Sequence, residues 1–440
     1  MRARAPLAVL LVALATVRGA AASSDALAPE AGPVARDVPA GAVVAHGFAE
    51  LEALVKDKAG PRDVWLEPKT YTGDLVIERP IALHGAKGAT LEGTGHATVV
   101  TVKADDVLLE NLYIRRSGHR HTAEDSGVKA TGARVRVADV RVDEALFGIS
   151  FEACKDCTLE RSWVQGPGGA DEQLRGDGVK LWEANGSVVR DTIVDGARDV
   201  VVWYTDRALL EHNSVRHGRY GSHFMYTHDC IVRRSHVEDD VVGIFVMYSA
   251  RLTVEDNVLA GARGAAGVGI GFKESDAIVL RRNWLVANTT GTYLDTTPRT
   301  EEEPVTFEDN VIALNEVGVR THGGGEKGLH FKGNDFRDNA LMIEVDGGGN
   351  ALGVDFRGNH YSDYEGYDLG GDGVGDVAYE VKALSSELTE THEELKFFHG
   401  TTAMGLVDAI AHAVPVLAAK TLMTDPAPLV RSPKIAEPRR

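Results

Sequence analysis

Two stretches decide the fold because they share one pattern: residues 208–218, ALLEHNSVRHG, and residues 251–261, RLTVEDNVLAG. In each, a short run rich in branched residues leads to a polar turn residue, and a second short run follows. Asn213 and Asn257 hold the turn position, and Ser235 lies midway between them, so the unit repeats every 22 residues. A repeat of this length with alternating apolar residues predicts stacked β coils and argues against a helical repeat.

The turn position can be followed outward through most of the chain, at spacings of 22 to 29 residues. It is held by Asn111, Asp139, Ser162, Asp191, Asn213, Ser235, Asn257, Asn283, Asn310, Asn334 and Asn359. Short polar side chains suit tight corners because they bond neighbouring backbone groups. The sequence therefore predicts an all-β fold, a right-handed parallel β-helix of about 22–29 residues per coil, similar to the pectate-lyase solenoid.

Both ends of the solenoid have helical patterns. Residues 47–60 carry apolar side chains at helical spacing and predict an N-terminal cap, whereas residues 399–414 read as an amphipathic helix before a proline-rich tail. The predicted boundaries are a signal peptide at 1–22, a linker at 23–44, the β-helix with its cap at 45–364, a Gly/Asp-rich loop and connection at 365–398, and the C-terminal helix and extended tail at 399–440.

The first 22 residues have the features of an export signal. Arg2 and Arg4 precede an apolar run at 5–17, and alanines at 20–22 offer a cleavage site near Ala22. The run is too short to span a bilayer as a helix, which disfavours an uncleaved anchor. We therefore expect a periplasmic protein.

The chain is strongly acidic, with 65 Asp and Glu residues against 47 Lys and Arg and a net charge of −18. The signal peptide contains three arginines and no acid, so the mature chain would keep 44 basic residues and a charge of −21. Such a balance excludes nucleic acid and polyanionic surfaces as expected partners.

The 22-residue spacing predicts which side chains stack in ladders along the central coils, about 4.8 Å apart. One side of the strand would carry Val179, Val201, His223 and Phe245, and beside them Leu181, Trp203, Met225 and Met247. The opposite side would carry Lys180, Val202, Phe224 and Val246, and beside them Trp182, Tyr204, Tyr226 and Tyr248.

Lys180 suggests which of these two sides faces solvent. On that assignment His223, Met225 and Met247 line the interior, and an outer strip for contact with a protein partner consists of Trp182, Tyr204, Phe224, Tyr226 and Tyr248. If the sides are reversed, Trp203, Met225 and Met247 are exposed instead. Either strip would mark an interaction surface unless loops of the chain cover it.

Two methionines and a histidine predict a soft metal site. Met225 and Met247 occupy one ladder position on adjacent coils, and His223 lies two residues from Met225. Thioether and imidazole ligands favour Cu(I) over hard cations. His228 and His217, in adjoining turns, are further candidate ligands. The alternative is that the methionines fill gaps in a core that also holds His223.

The three cysteines leave at least one thiol unpaired within the chain. Cys154 and Cys157 are close enough in sequence for a local disulfide or a metal site. Cys157 and Cys230 would lie three coils apart, about 14 Å, which is too far for a bridge. Cys230 is therefore the expected free thiol.

Five motifs in order resemble a known family, over residues 45–434. They are GDGVKLW at 176–182, RYGSHFMYTHD at 219–229, VMYS at 246–249, GYDLGGDGVGD at 366–376 and VLAAKTLMTDPAPLVRSP at 416–433. In this order they resemble the NosD family, periplasmic proteins that take part in maturation of nitrous oxide reductase. The chain has Gly370 where the family usually has Asp, which weakens a metal role for that loop.

The resemblance implies a function and a set of partners. Members of the family are non-enzymatic β-helix proteins that act with an ABC transporter permease and its ATPase, and with a copper chaperone lipoprotein. Together these supply the copper–sulfur centre of nitrous oxide reductase. The resemblance supplies no catalytic residues, and it implies transient handling of Cu(I).

A carbohydrate-active β-helix, such as a polysaccharide lyase or epimerase, is the main alternative. Asp295 with Arg320 and His322 would be its candidate cleft, although the spacing shows no clear pair of catalytic carboxylates. An adhesion or scaffold protein without a small ligand is the third interpretation.

Overall fold

The computed structural model describes residues 31–167, 171, 174–322, 327–346, 349–383, 388, 392–398, 401, 403, 404, 406, 407, 410 and 420–438. These residues form an all-β, right-handed parallel β-helix of about 13 turns with very little helix. The predicted fold class is confirmed at this level. Three parallel sheets, A, B and C, run along the solenoid, and a typical coil contributes one short strand to each.

Sheet A contains the strands Val43–Ala45, Asp63–Leu66, Ala82–Gly85, Leu108–Glu110, Arg136–Ala138, Thr158–Glu160, Val188–Arg190, Leu209–Glu211, Ile231–Arg233, Thr253–Glu255, Ile278–Arg281, Val305–Glu308, Leu329–Lys332 and Asp355–Arg357. Sheet B contains Thr70–Thr72, Thr90–Glu92, Tyr113–Arg115, Arg141–Asp143, Trp163–Gln165, Ile193–Asp195, Ser214–Arg216, His236–Glu238, Val258–Ala260, Trp284–Val286, Val311–Ala313, Asp335–Arg337 and His360–Tyr361. Sheet C contains Leu75–Ile77, Val100–Val102, Ser126–Ala130, Phe147–Glu152, Val179–Trp182, Asp199–Trp203, Tyr220–Met225, Val242–Met247, Val268–Lys273, Thr290–Asp295, Val317–His322 and Leu341–Asp346.

The corner between sheets A and B is built as the recurring asparagines predict. Asn283 donates from its side chain to the Val254 carbonyl and to Asn310 Oδ1, and its backbone N–H also bonds Asn310 Oδ1. The residue before it, Arg282, has a φ of 55°, which turns the chain sharply. Each buried amide thus satisfies backbone groups of its own corner and links it to the next coil.

One coil is shorter than the sequence repeat indicates, and this overturns the predicted register. Val188 pairs with Leu209 and Val179 with Val200, so the step here is 21 residues. The corner position belongs to Thr192, whose N–H bonds Asn213 Oδ1, and not to Asp191. The alignment of Asp191 with Asn213 was therefore wrong by one residue, and so was every ladder drawn across this coil.

The correct register reverses the side assigned to the central ladder residues. Leu181 stacks on Val202, Phe224 and Val246, and all four are buried in the core. Phe224 is therefore wrong as a contact residue. A shift of one residue moves every side chain of a strand to the other face, so His223, Met225 and Met247 lie on the outer face of sheet C.

The structure adds elements at both ends of the coils. A helix spans Phe48–Lys56, within the predicted segment 47–60, and buries Leu51 and Val55 in the core. Strands Tyr379–Ala383 and Lys420–Asp425 pair antiparallel outside the solenoid sheets. Two single-turn 3-10 helices span His121–Ala123 and Glu393–Phe398.

The predicted terminal segments are only partly covered by the structure. The signal peptide at 1–22 lies outside the described residues, as does most of the helix predicted at 399–414. Within the predicted linker at 23–44, the backbone of Val34 bonds the side chain of Asn111, and Arg36 pairs with Glu110. Among the residues that the structure describes, no helix is long and apolar enough to cross a bilayer.

The cysteines are arranged as expected from the coil spacing. Cys154 and Cys157 form a disulfide, and Cys230 is a buried free thiol. Burial raises the pKa of Cys230 to about 11. Its sulfur therefore stays protonated at neutral pH, which makes it a poor nucleophile and a poor metal ligand.

Candidate metal centre on the outer face of sheet C

Two parallel rows of side chains run along the outer face of sheet C. Row 1 consists of Lys180, Val201, His223, Phe245, Gly271, Tyr293, Arg320 and Glu344. Row 2 consists of Trp182, Trp203, Met225, Met247, Lys273, Asp295, His322 and Asp346. Alternation along each strand places both rows on one side and the core residues between them on the other.

The rows bring together three soft donors, which we call the soft cluster: His223, Met225 and Met247. His223 Nε2 lies 3.4 Å from Met247 Sδ, across from one coil to the next. Met225 is the register partner of Met247, so the two methionines are neighbours in row 2. Both methionine side chains are half-buried, which leaves the cluster open to solvent on one side.

The His223 ring is held by aromatic neighbours. Tyr220 stacks on it with ring centroids 4.7 Å apart, and Trp203 approaches at 5.3 Å with the planes nearly perpendicular. His223 Nδ1 is buried and has no hydrogen-bond partner among the described residues. The imidazole is therefore positioned by packing and keeps both nitrogens uncommitted to a protein hydrogen bond.

Burial keeps the His223 imidazole neutral. Loss of solvation lowers the pKa of His223 to about 4, and the nearby Asp199 offsets this only in part. Asp199 is itself neutralised by Arg219, whose Nε lies 3.0 Å from its carboxylate. A neutral imidazole is the form that binds a metal, so no proton has to leave before a soft ion binds.

The chemistry of the soft cluster suits a soft monovalent ion. Within the described part of the chain, no group of three or more His, Cys, Asp or Glu side chains could hold a metal ion. The cluster instead offers one imidazole nitrogen and two thioether sulfurs, all uncharged. Such donors select Cu(I) and leave Mg²⁺, Ca²⁺ and Zn²⁺ without the carboxylates or thiolates that they prefer.

The other two histidines considered as ligands lie in turns and have other partners. His228 follows the strand, and its Nδ1 lies 3.0 Å from Asp206 Oδ1. His217 precedes the strand, with its Nδ1 2.8 Å from Asp195 Oδ1. A role for His228 as a fourth ligand stays a prediction.

Comparisons with known proteins agree with the motifs. Residues 164–366 match the model of a family described as periplasmic copper-binding protein (NosD), and this range contains the whole soft cluster. A "probable ABC transporter binding protein NosD" of Pseudomonas aeruginosa is 28% identical over 84% of this chain and 88% of that protein. A protein of the same name from Stutzerimonas stutzeri is 26% identical over 82% of this chain and 85% of that protein.

The chain belongs to the NosD family.

Solved structures similar to this NosD-family chain share its fold. The A-module of the mannuronan C-5 epimerase AlgE6 from Azotobacter vinelandii has a TM-score of 0.52 and 13% identity, over 70% of this chain and 94% of that one. The catalytic domain of a GH87 α-1,3-glucanase also has a TM-score of 0.52, with 10% identity over 74% of this chain and 69% of that one. At these identities the likeness shows the β-helix alone.

An aromatic strip borders the soft cluster at the corner after the sheet C strands. Tyr204, Tyr226 and Tyr248 stack with ring centroids 5.1 and 5.0 Å apart, and Trp182 contacts Tyr204 at 5.2 Å. Tyr204 and Tyr226 are each 43% exposed. We call these four residues the aromatic strip. In this NosD-family chain they form an ordered apolar surface beside the candidate metal site, as predicted except for Phe224.

The residues proposed for a carbohydrate cleft also lie on this face, further along the rows. Asp295 is the register partner of His322, and Lys273 Nζ lies 3.5 Å from Asp295. Arg320 pairs with Glu344 at 2.7 Å. The carboxylates of this cluster are thus matched by neighbouring cations.

Sequence reasoning did not identify Tyr220 and Trp203 as neighbours of His223 because the register was wrong. A better marker was present. Gly178 and Gly221 open equivalent strands and are 43 residues apart, one fewer than two 22-residue steps. Neither residue has room for a side chain, since a Cβ on Gly178 would lie 2.5 Å from Val194 and one on Gly221 2.2 Å from Val237. The glycine spacing thus signals the short coil.

Proposed function

We propose that this NosD-family protein is a non-enzymatic periplasmic accessory protein that binds Cu(I) transiently during maturation of the copper–sulfur centre of nitrous oxide reductase. The observation that carries the proposal is the 3.4 Å contact between His223 Nε2 and Met247 Sδ, with Met225 alongside. The family description as periplasmic copper-binding protein supports it.

The site is built for transfer and not for storage. All three donors of the soft cluster are neutral, and two of them are half-buried on an open sheet face. A Cu(I) ion held by His223, Met225 and Met247 is therefore reachable by ligands of a partner, which can replace the thioethers one at a time. Copper is the cargo here, received from a copper chaperone lipoprotein and passed toward nitrous oxide reductase.

The partners follow from the relatives and from the surface. Two relatives are named ABC transporter binding proteins, which supports action beside a permease and its ATPase. The aromatic strip next to the soft cluster would place a docked partner close to the bound ion. The helix predicted at 399–414 is proposed to contact the permease, and deletion of that segment should then abolish assembly of the transporter complex.

Anaerobic Cu(I) titration in competition with a chromophoric chelator tests the copper proposal. The wild-type protein should bind one ion, and His223→Ala or Met247→Leu should weaken binding by about tenfold or more, equal to about 1.4 kcal/mol. Met342→Leu, a half-buried methionine at the far end of sheet C, is the matched control and should bind normally. Unchanged affinity in His223→Ala would remove the site.

A second candidate function is carbohydrate modification, favoured by the adjacent Lys273, Asp295, Arg320 and His322. The ion pairs of this cluster leave no free carboxylate pair for acid–base catalysis, which is why we place it second. Incubation with polyuronate and neutral oligosaccharides decides between the two. Cleavage or epimerisation that is lost in Asp295→Asn would establish the enzyme, and no turnover is expected.

A further inference from the structure

Trp203 occupies a position in row 2 that gives it a role in the soft cluster. We infer that Trp203 presents its indole ring to a soft monovalent ion held by His223, Met225 and Met247, and that this contact makes the site selective for Cu(I) and Ag(I) over divalent ions. The inference rests on the proposed function and adds a residue and a selectivity to it.

The register places the indole beside the sulfur donors. Trp203, Met225 and Met247 are consecutive register partners in row 2. Neighbouring strands are about 4.8 Å apart, and a cation within about 6 Å of an aromatic centroid is attracted to the ring face. An ion bound by Met225 is therefore one strand spacing from Trp203, inside the range of a cation–π contact.

Packing fixes the ring in this place. Its centroid lies 5.3 Å from that of His223 and 5.7 Å from that of Trp182, so it is held between a proposed ligand and the aromatic strip. Its Nε1 is buried and has no hydrogen-bond partner among the described residues. Burial of an unpaired indole N–H is unfavourable, and Phe would fill the position without that penalty. A purely packing role therefore does not explain why the residue is Trp.

The charges around the soft cluster oppose a divalent ion. Lys273 follows Met247 in row 2, and Lys180 lies two positions before His223 in row 1. The Asp199 carboxylate is bound to Arg219, and Lys180 is bound to Glu124. With neutral donors and cations nearby, a divalent ion finds no compensating anion. A single positive charge can be stabilised by the quadrupole of an aromatic ring.

The test uses Ag(I) as a redox-stable probe, Cu(I) under anaerobic conditions, and Zn(II). For each ion, affinity is measured by chelator competition and tryptophan emission is recorded. Wild-type protein should bind Ag(I) and Cu(I), with a change in emission, and bind Zn(II) far more weakly. Trp203→Phe should lose most of the emission change and bind the monovalent ions about 3- to 30-fold more weakly.

Trp284→Phe, on sheet B, is the matched control and should leave both affinity and emission change intact. Trp203→Leu, with an unfolding curve alongside, separates loss of the ring from loss of the fold. If Trp203→Phe keeps the wild-type affinity and emission change, the inference fails while the proposed copper site stands. If wild-type protein binds neither Ag(I) nor Cu(I), both the inference and the proposed function fail.

Discussion

At the residue scale, one side chain shows what the register decides. Phe224 and His223 are neighbours in sequence, yet Phe224 is fully buried and His223 belongs to the outer face. The repeat predicted from sequence was correct in type, but the 21-residue coil before it exchanged the two sides. Composition could not resolve this, because apolar residues lie on both faces of the strand here.

Replacement of Phe224 by Ala should destabilise the protein by about 3–5 kcal/mol, because it leaves a cavity among core residues of three neighbouring coils. Tyr226→Ala, two residues away and 43% exposed, is the control and should cost far less. Denaturation in urea measures both. Equal losses in the two variants would contradict the assignment of Phe224 to the interior.

Asp240 should make stability depend on pH. Its side chain is buried, and burial raises its pKa to about 8 from an ordinary value of 3.8. The folded state therefore holds this proton more tightly than the unfolded state, and the contribution of Asp240 to stability falls as pH rises from about 4 to about 8.

The Asp240→Asn variant should lack this dependence. Between pH 4 and 8 the free energy of unfolding of the wild type should fall relative to the variant, by at most about 1.4 kcal/mol per pH unit. Urea denaturation of both proteins at several pH values gives the difference, in which other titrating groups cancel. Parallel pH profiles would show that Asp240 ionises normally.

At the element scale, the asparagine corner was the most predictable part of the molecule. Asn257, Asn283, Asn310, Asn334 and Asn359 form one bonded ladder between sheets A and B. The period, the corner residue type and the parallel stacking could all be read from sequence, because the same geometry recurs in each coil. Asp139 and Asp191 were misassigned because each precedes the corner position, where it adopts a left-handed conformation.

Removal of one ladder amide should therefore be costly. In Asn310→Ala the Leu280 carbonyl and the N–H groups of Asn283 lose their partner inside the protein. We expect a loss of about 3 kcal/mol or more, since each buried unsatisfied group costs about 1–3 kcal/mol. Asn350→Ala, an exposed asparagine, is the control in the same denaturation assay. A loss no larger than that control would show that the ladder is not stabilising.

At the scale of the whole molecule, the solenoid behaves as a row of coils that each contact their neighbours. The asparagine ladder ends on Asp425, whose Oδ2 accepts from the backbone and side chain of Asn359 and from the Tyr361 hydroxyl. The chain thus returns from residue 361 to complete the last corner. Sequence offered no sign of this contact, because it joins segments 66 residues apart that follow no repeat.

Asp425→Ala should loosen the last coils and leave the rest intact. Hydrogen exchange should show lost protection in Asp335–Arg337 and His360–Tyr361, with the strands before Val268–Lys273 unchanged. Asp372→Ala, in an exposed turn, should change neither region. A uniform loss of protection along the chain would mean that the coils unfold as one unit.

The copper proposal is the central claim, and X-ray absorption at the copper edge of Cu(I)-loaded protein tests it most directly. The two disulfide sulfurs and the protonated, buried Cys230 are poor ligands, so sulfur bound to copper would come from methionine. We predict one imidazole nitrogen and two sulfurs around the ion, with one sulfur lost in Met247→Leu. A shell of nitrogen and oxygen alone, or an unchanged shell in that variant, would contradict the account.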